Sequence, residues 1–303
     1  MSHQRRHAPA ASRLRAGQSL LFMAIAVLAI ASLAHAQEPP DLLAEWPICD
    51  VTSAGAIAWH PDGYIVIAGS DQKVSVFGLD GSHVRSWGSS GIAPGQFQGL
   101  SGVAVGDGGN VFTSEEGGRR TQRFTVEGGP IGLWDSAYYP NDIAADGAGY
   151  FYLVTGGDDD MAKYAVDGTE ITTWPCHPCF GVDADRQGHL YATSSREVLK
   201  FTTAGALLWA VSLDILPDDD PEAVVVAAGA SGRVYVSDSG TQRTVVLSSD
   251  GTILKWWPGA VNGLAEDDQG RLYAAAGCSI KVYGFESTPV RPTTWGRLKQ
   301  IYR

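Results

Sequence analysis

Basic side chains are scarce. Lysine and arginine number 22 in 303 residues, against 33 aspartates and glutamates. A nucleic-acid partner needs a basic footprint, so this balance excludes one. Cysteine is confined to Cys49, Cys176, Cys179 and Cys278, and histidine beyond residue 36 to His60, His83, His177 and His189. No Gly-x-Ser-x-Gly elbow and no phosphate-binding glycine loop occur, so the common serine-hydrolase and nucleotide-binding signatures are missing. Glycine, by contrast, reaches 37 residues and tryptophan 9, with 44% hydrophobic residues. That mixture describes short strands joined by many tight turns around a sizeable core.

Residues 1–18 hold Arg5, Arg6, Arg13 and Arg15 and no acid, an apolar run extends from Leu20 to about Leu33, and Ala34-His35-Ala36 precedes Gln37. This is the pattern of a cleaved secretory signal. The apolar run is short for a membrane span, and Pro39-Pro40 follow it. The reading is a signal peptide over 1–36, cleavage near Ala36, and an extracellular or periplasmic protein with no span in its mature form. Without those four arginines, 18 basic residues face 33 acids, a net of −15. Residues 288–303 form a basic tail with Arg291, Arg297, Lys299 and Arg303 and no acid. The body, 37–287, therefore holds 14 basic and 33 acidic side chains, net −19. Such a body attracts cations or basic partners.

A repeat organises that body. Six segments run through an apolar strand, a glycine turn, an aromatic strand, a loop, a third strand, a second turn and a strand ending in tryptophan. The first-turn glycines are Gly63, Gly109, Gly149, Gly188, Gly232 and Gly270; the second turns include Asp80-Gly81, Glu127-Gly128, Asp167-Gly168, Ala204-Gly205 and Asp250-Gly251. The closing tryptophans read as Trp87, Trp134, Trp174, Trp209, Trp256 and Trp295. Four short strands per unit of about 40 residues is the size of one propeller blade. The stretch Val234-Tyr235-Val236-Ser237-Asp238-Ser239-Gly240-Thr241-Gln242-Arg243 resembles the Asp-x-Gly-x-x-Arg pattern of NHL repeats, and Val111 to Arg120 follows it more loosely. The chain thus resembles the NHL-repeat six-bladed β-propeller family of secreted bacterial type. The resemblance implies an all-β fold, a six-bladed β-propeller of four-stranded antiparallel blades. It implies little about function, since propellers host unrelated activities. Lyases among its six-bladed relatives would need several histidines near the axis, which this chain lacks.

Two segments compete to close the ring. Asp41 to Pro47 resembles the closing strand Ile171-Thr172-Thr173-Trp174-Pro175; Pro289 to Trp295 is the other candidate, interrupted by prolines. The cysteines of a secreted chain suggest two disulfides, Cys49–Cys278 across the closure and Cys176–Cys179 locally. The Cys-x-x-Cys of the latter is also compatible with half a zinc site or a redox pair. Nothing helical follows it and further ligands are few, which favours the structural bond.

Acidic residues gather in loops expected on one face: Glu115 and Glu116 in blade two, Asp158, Asp159 and Asp160 in blade three, and Asp219 in the link into blade five, with Asn141 and Asp142 opening blade three. Oxygen ligands from several loops suit Ca2+, so Asp142, Asp158, Asp159, Asp160 and Asp219 are candidate metal ligands; a set of solvated loop carboxylates is the plainer alternative. Glu115, Glu116, Asn141, Asp142 and His177 are candidates for ligand binding. No catalytic residue is assigned. The expected function is a monomeric secreted binding or scaffold module taking a protein, small-molecule or cell-envelope ligand through one acidic face. The alternative is a metal-dependent hydrolase or lyase with carboxylates around the propeller axis.

Overall fold

The computed structural model describes residues 37–48, 54–136, 138–156, 160–176, 178–217 and 220–285. Among them 24 strands form six four-stranded sheets, all paired antiparallel. The inner strands of blades one to six are Ala54–His60, Leu100–Val105, Tyr139–Ala145, Gly181–Ala184, Ala223–Ala228 and Gly263–Glu266. Each touches its neighbours in turn, and the sixth returns to the first. The protein is a six-bladed β-propeller. The second strand of each blade is its most buried, with Ile65, Tyr152, Tyr191, Tyr235 and Tyr273 at 0–1% exposure. β-Branched and aromatic side chains suit such positions, packed between two neighbouring sheets.

The ring closes through the N-terminal candidate. Asp41–Pro47 pairs with Ser279–Gly284 as the outer strand of blade six, with Trp46 opposite Ile280. Residues 286–303, including Trp295, lie outside the described residues. Register also corrects the column of closing aromatics. Trp87, Trp134 and Trp174 pair with Val74, Thr121 and Met161; the matching residues are Val211 opposite Val198 in blade four and Trp257 opposite Thr244 in blade five. Trp209 and Trp256 are therefore two residues and one residue away from the column. A Trp-Trp pair and a Leu-Leu-Trp run hide this offset when strands are aligned by tryptophan alone.

These aromatics lock blade to blade. Each indole lies over the glycine of the next blade's second turn, where there is no room for a methyl group. A Cβ on Gly81, Gly128, Gly168 or Gly205 would come within 2.4, 2.8, 1.9 and 2.6 Å of Trp46, Trp87, Trp134 and Trp174 respectively. At Gly251 the covering groups are Val211 and Trp209. Blade six has no such turn, because its outer strand arrives from the N-terminus, and there Trp257 packs on Tyr283 at 6.1 Å.

Cys176 and Cys179 form a disulfide, with Cα atoms 5.5 Å apart. Both are buried beside Trp174 and Val182, so the bond pins the link from blade three to blade four. Cys49 lies outside the described residues. Its neighbour Ile48 donates its N–H to the carbonyl of Cys278 at 2.7 Å, which brings the chain carrying Cys49 to that of Cys278. The protein is expected to be lighter than its reduced form by the hydrogens of two disulfides, and peptide mapping should return Cys49–Cys278; free thiols at those positions would remove that pair.

Gly168 and Gly188 separate backbone from packing. Both have positive φ, +86° and +82°, but a Cβ on Gly188 would meet nothing within 4 Å. Gly188→Ala should cost about 1 kcal/mol from the left-handed conformation alone. Gly168→Ala should cost roughly 2–3 kcal/mol more through its clash with Trp134. Equal losses in denaturant titration would show that the indole contact contributes nothing.

Candidate functional site

A channel of about 810 Å³ runs along the axis, walled by the six inner strands and the turns that follow them. Eight lining residues are acids, Asp62, Asp107, Asp142, Asp146, Asp183, Asp185, Glu266 and Asp268, and among the described residues Arg186 is the only lining cation. Carboxylates from five blades thus converge on the axis.

Two of them break the repeat. Opposite the residue three past each first-turn glycine, five blades carry alanine: Ala58, Ala104, Ala144, Ala227 and Ala265. Blade four carries Asp183 there, opposite Tyr191. Two residues lower on the inner strand, the column reads Ala56, Gly102, Gly181, Val225 and Gly263, and Asp142 in blade three. Inner strands converge near the axis, which explains the small residues and makes the two carboxylates conspicuous. Asp142 fits because its neighbour is Gly102, where a Cβ would stand 2.7 Å from Oδ1.

Both carboxylates bridge blades. Asp142 accepts the N–H of Val182 in blade four at 3.0 Å and that of Ile143 at 2.9 Å. Asp183 accepts the N–H of Ala228 in blade five at 2.8 Å and that of Ala184 at 2.8 Å. Enclosure by protein pushes the Asp142 carboxyl up to about 7; Asp183 adds to this, and the two N–H donors oppose it. Enclosure likewise pushes Asp183 up to about 6, with Asp185 adding and the N–H groups of Ala228 and Ala184 opposing. Both residues are only partly buried by surface area: they are surrounded by protein, yet their outer edges face the channel. Each oxygen that accepts one N–H keeps a second lone pair.

The acids at the mouth are structural. Asp146, Asp185 and Asp267 stand three residues before a turn glycine, and each accepts N–H groups from its own turn and the phenol three residues past that glycine: Tyr152 at 2.8 Å, Tyr191 at 3.0 Å and Tyr273 at 3.1 Å. Burial, and next these carboxylates, raise the phenols well above their ordinary range. Blade five has Gly229 at the turn position, and Glu266 reaches over from blade six to take the same two partners, the N–H of Ser231 at 3.0 Å and the hydroxyl of Tyr235 at 2.6 Å. A Cβ on Gly229 would lie 1.6 Å from that carboxylate. In blade one His60 substitutes, accepting from Asp62 N–H at 3.1 Å while Nε2 donates to the Gly109 carbonyl of blade two at 2.8 Å.

The residues singled out in the sequence are dispersed. Glu115 is fully buried and pairs with Arg120 at 2.9 Å, with Gln122 Nε2 and Gln98 N–H each at 2.7 Å. The equivalent Asp238–Arg243 pair, also 2.9 Å, binds Thr241 and the N–H of Glu222. Arg243 further donates to the carbonyl of Pro217. These two ion pairs staple the loops of blades two and five to the links that lead into those blades. Glu116 is exposed, and Asn141 lines the channel beside Asp142. Asp160 opens the third strand of blade three, two strands from Asp142 and so about 10 Å away by strand spacing. Asp158, Asp159, His177 and Asp219 lie outside the described residues. Among the described residues no three His, Cys, Asp or Glu side chains are grouped so as to hold a metal ion. Asp183, Glu266, Trp59 and Arg186 were not singled out, although aligning the repeats column by column exposes Asp183 as the one acid among alanines.

Asp142 and Asp183 have a thermodynamic signature. An acid whose folded pKa is raised stabilises the fold below its unfolded pKa and loses that contribution as pH climbs through the folded value. From about pH 4 to about pH 7 these two residues therefore weaken the native state progressively. The Asp142→Asn/Asp183→Asn protein should gain on the wild type over that window, the melting-temperature difference moving in its favour by about 3–6 °C. A difference independent of pH would show both carboxyls titrating normally.

No protein-family model matches the chain, and no curated protein does. Solved structures do. A streptogramin B lyase superposes with a TM-score of 0.59 at 14% identity, over 80% of this chain and 96% of that one. A catalytically inactive virginiamycin B lyase from Staphylococcus aureus, with quinupristin, gives 0.60 at 15%, over 77% and 81%. The β-propeller domain of Myceliophteria thermophila Cps50 (Swd1) gives 0.55 at 8%, over 82% and 100%. What this chain shares with all three is the propeller fold.

Proposed function

We propose that this protein is a secreted binding propeller of NHL type that holds a small organic cation in its central channel. The observation that carries the reading is the placement of Asp142 and Asp183. They stand where the other blades have alanine, glycine or valine, each lining the channel with oxygen lone pairs left unused and backbone N–H groups fixing its orientation. A rigid ring presents both without reorganisation, which favours affinity. The surrounding excess of carboxylate attracts cations and repels anions. Export through residues 1–36 belongs to the same reading. The Cys176–Cys179 bond supports it, since such bonds persist in oxidising compartments, and among the described residues no helix is long and apolar enough to cross a membrane.

Calorimetric titration with 1,4-diaminobutane and agmatine tests this. Both should bind; binding should weaken with added salt and strengthen from pH 5.5 to pH 8 as the two carboxyls ionise. Asp183→Asn should reduce affinity by roughly 10–100-fold, the range of a lost charge-assisted hydrogen bond. Failure of both amines to bind at millimolar concentration would overturn the reading. A second reading, catalysis, rests on Asp142 alone: a carboxyl titrating near neutrality in a channel is suited to general-base work. Amine bound by Asp142→Asn but consumed only by the wild type would select it.

A further inference from the structure

Trp59 is a third departure from the repeat. It lies opposite Ile65, and the matching residues in the other blades are Val105, Ala145, Ala184, Ala228 and Glu266. None of these is aromatic. Trp59 lines the channel and packs on the core between blades six and one. Across the axis, from the turn of blade four, Arg186 extends its guanidinium to 5.1 Å from the indole centroid. Blades one and four are opposite in a six-membered ring, so this contact spans the mouth of the channel. Arg186 is exposed, and among the described residues its guanidinium makes neither hydrogen bond nor ion pair, although acids surround it. Its one directed contact is the indole face.

We propose that Trp59 is the aromatic wall of the channel's binding site, that it selects a guanidinium over a primary ammonium, and that Arg186 is the site's own occupant, displaced when ligand enters. The chemistry follows from the arrangement. An indole face holds planar, weakly hydrated cations better than compact, strongly hydrated ones, and the side chain already resting there is a guanidinium. Trp59 stands one strand position above Asp183 and three above Asp142, a span of about 10 Å along the axis at roughly 3.3 Å per residue. A ligand with a guanidinium at one end and an ammonium at the other, separated by a short alkyl chain, satisfies the indole and the carboxylates together. A covering side chain that must leave lowers the apparent affinity by the fraction of open channel, so removal of Arg186 exposes the site.

This inference rests on the cationic-channel reading, and the test keeps the two apart. Agmatine and 1,4-diaminobutane are titrated into the full-length mature protein and into Trp59→Leu, Trp59→Phe and Arg186→Ala. Agmatine should bind the wild type at least about 10-fold more tightly than 1,4-diaminobutane, between the exposed and the desolvated ranges of a cation–π contact. Trp59→Leu should abolish that preference while leaving the diamine affinity unchanged; Trp59→Phe, which keeps an aromatic face and the fold, should retain part of it. Arg186→Ala should tighten agmatine binding several-fold. An unchanged preference in Trp59→Leu and Trp59→Phe, or weaker agmatine binding in Arg186→Ala, would overturn the assignment. If both amines bind and Asp183→Asn weakens both while the Trp59 variants are silent, only the assignment of Trp59 fails. If neither amine binds the wild type, the channel reading fails with it.

Discussion

The ring stands on the seating of an indole over a glycine. At four of the six junctions the outer strand's tryptophan leans onto the second turn of the next blade, and only a residue without Cβ can occupy that turn. A flat apolar ring covering bare backbone gives close contact over a wide area, and glycine also supplies the positive φ the turn requires. One device thus sets blade geometry and blade spacing together. Blade four, with Val211 in the column and Trp209 beside it, shows that the covering surface matters more than the residue that provides it. Blade six shows the reverse: without a turn, its junction depends on the Trp257–Tyr283 contact.

A frame held from its rim leaves the axis under looser constraint. The inner strands need small residues because they converge, and the backbone there is already paired within each sheet. A carboxylate can therefore enter a single blade if a neighbour yields space and nearby N–H groups accept it, as Gly102 and Val182 do for Asp142. The Glu266–Gly229 exchange follows the same logic without altering the fold. An acid is removed from one blade's turn and its hydrogen bonds are met by a longer acid from the next. Departures that preserve every partner are structural substitutions; Asp183 and Trp59, which face open volume, are departures of another kind.

Much of this was legible in the chain. Paired turn glycines recurring every 40 residues or so define the blades, and the repeat pattern over Asp238 to Arg243 contains both partners of the loop-to-link ion pair. What sequence did not show was that the two residues pair. Glu115 reads as an available acid until Arg120 is seen closing on it in the interior. Clusters such as Asp158-Asp159-Asp160 draw the eye because they are contiguous, whereas the channel collects its carboxylates singly, one or two from each of five blades. Composition along the chain is blind to an axis that six distant segments share. Tryptophan spacing misled for a related reason, since Trp256 and Trp257 differ by one residue and a strand reverses its facing at each step.

The outer strand of blade six has a consequence for the order of assembly. Asp41–Pro47 is among the first parts of the propeller to be synthesised, yet its partner Ser279–Gly284 is among the last. Loop closure over that separation is the slowest kind of contact to form. Every blade before the sixth can acquire its strands locally, but the chain remains an open arc until its end has emerged. A product truncated before Ser279 would carry unpaired strand edges at both ends, the form most prone to joining with its like. The closure therefore acts as a completeness check: only a chain synthesised through its last blade gives Asp41–Pro47 its partner.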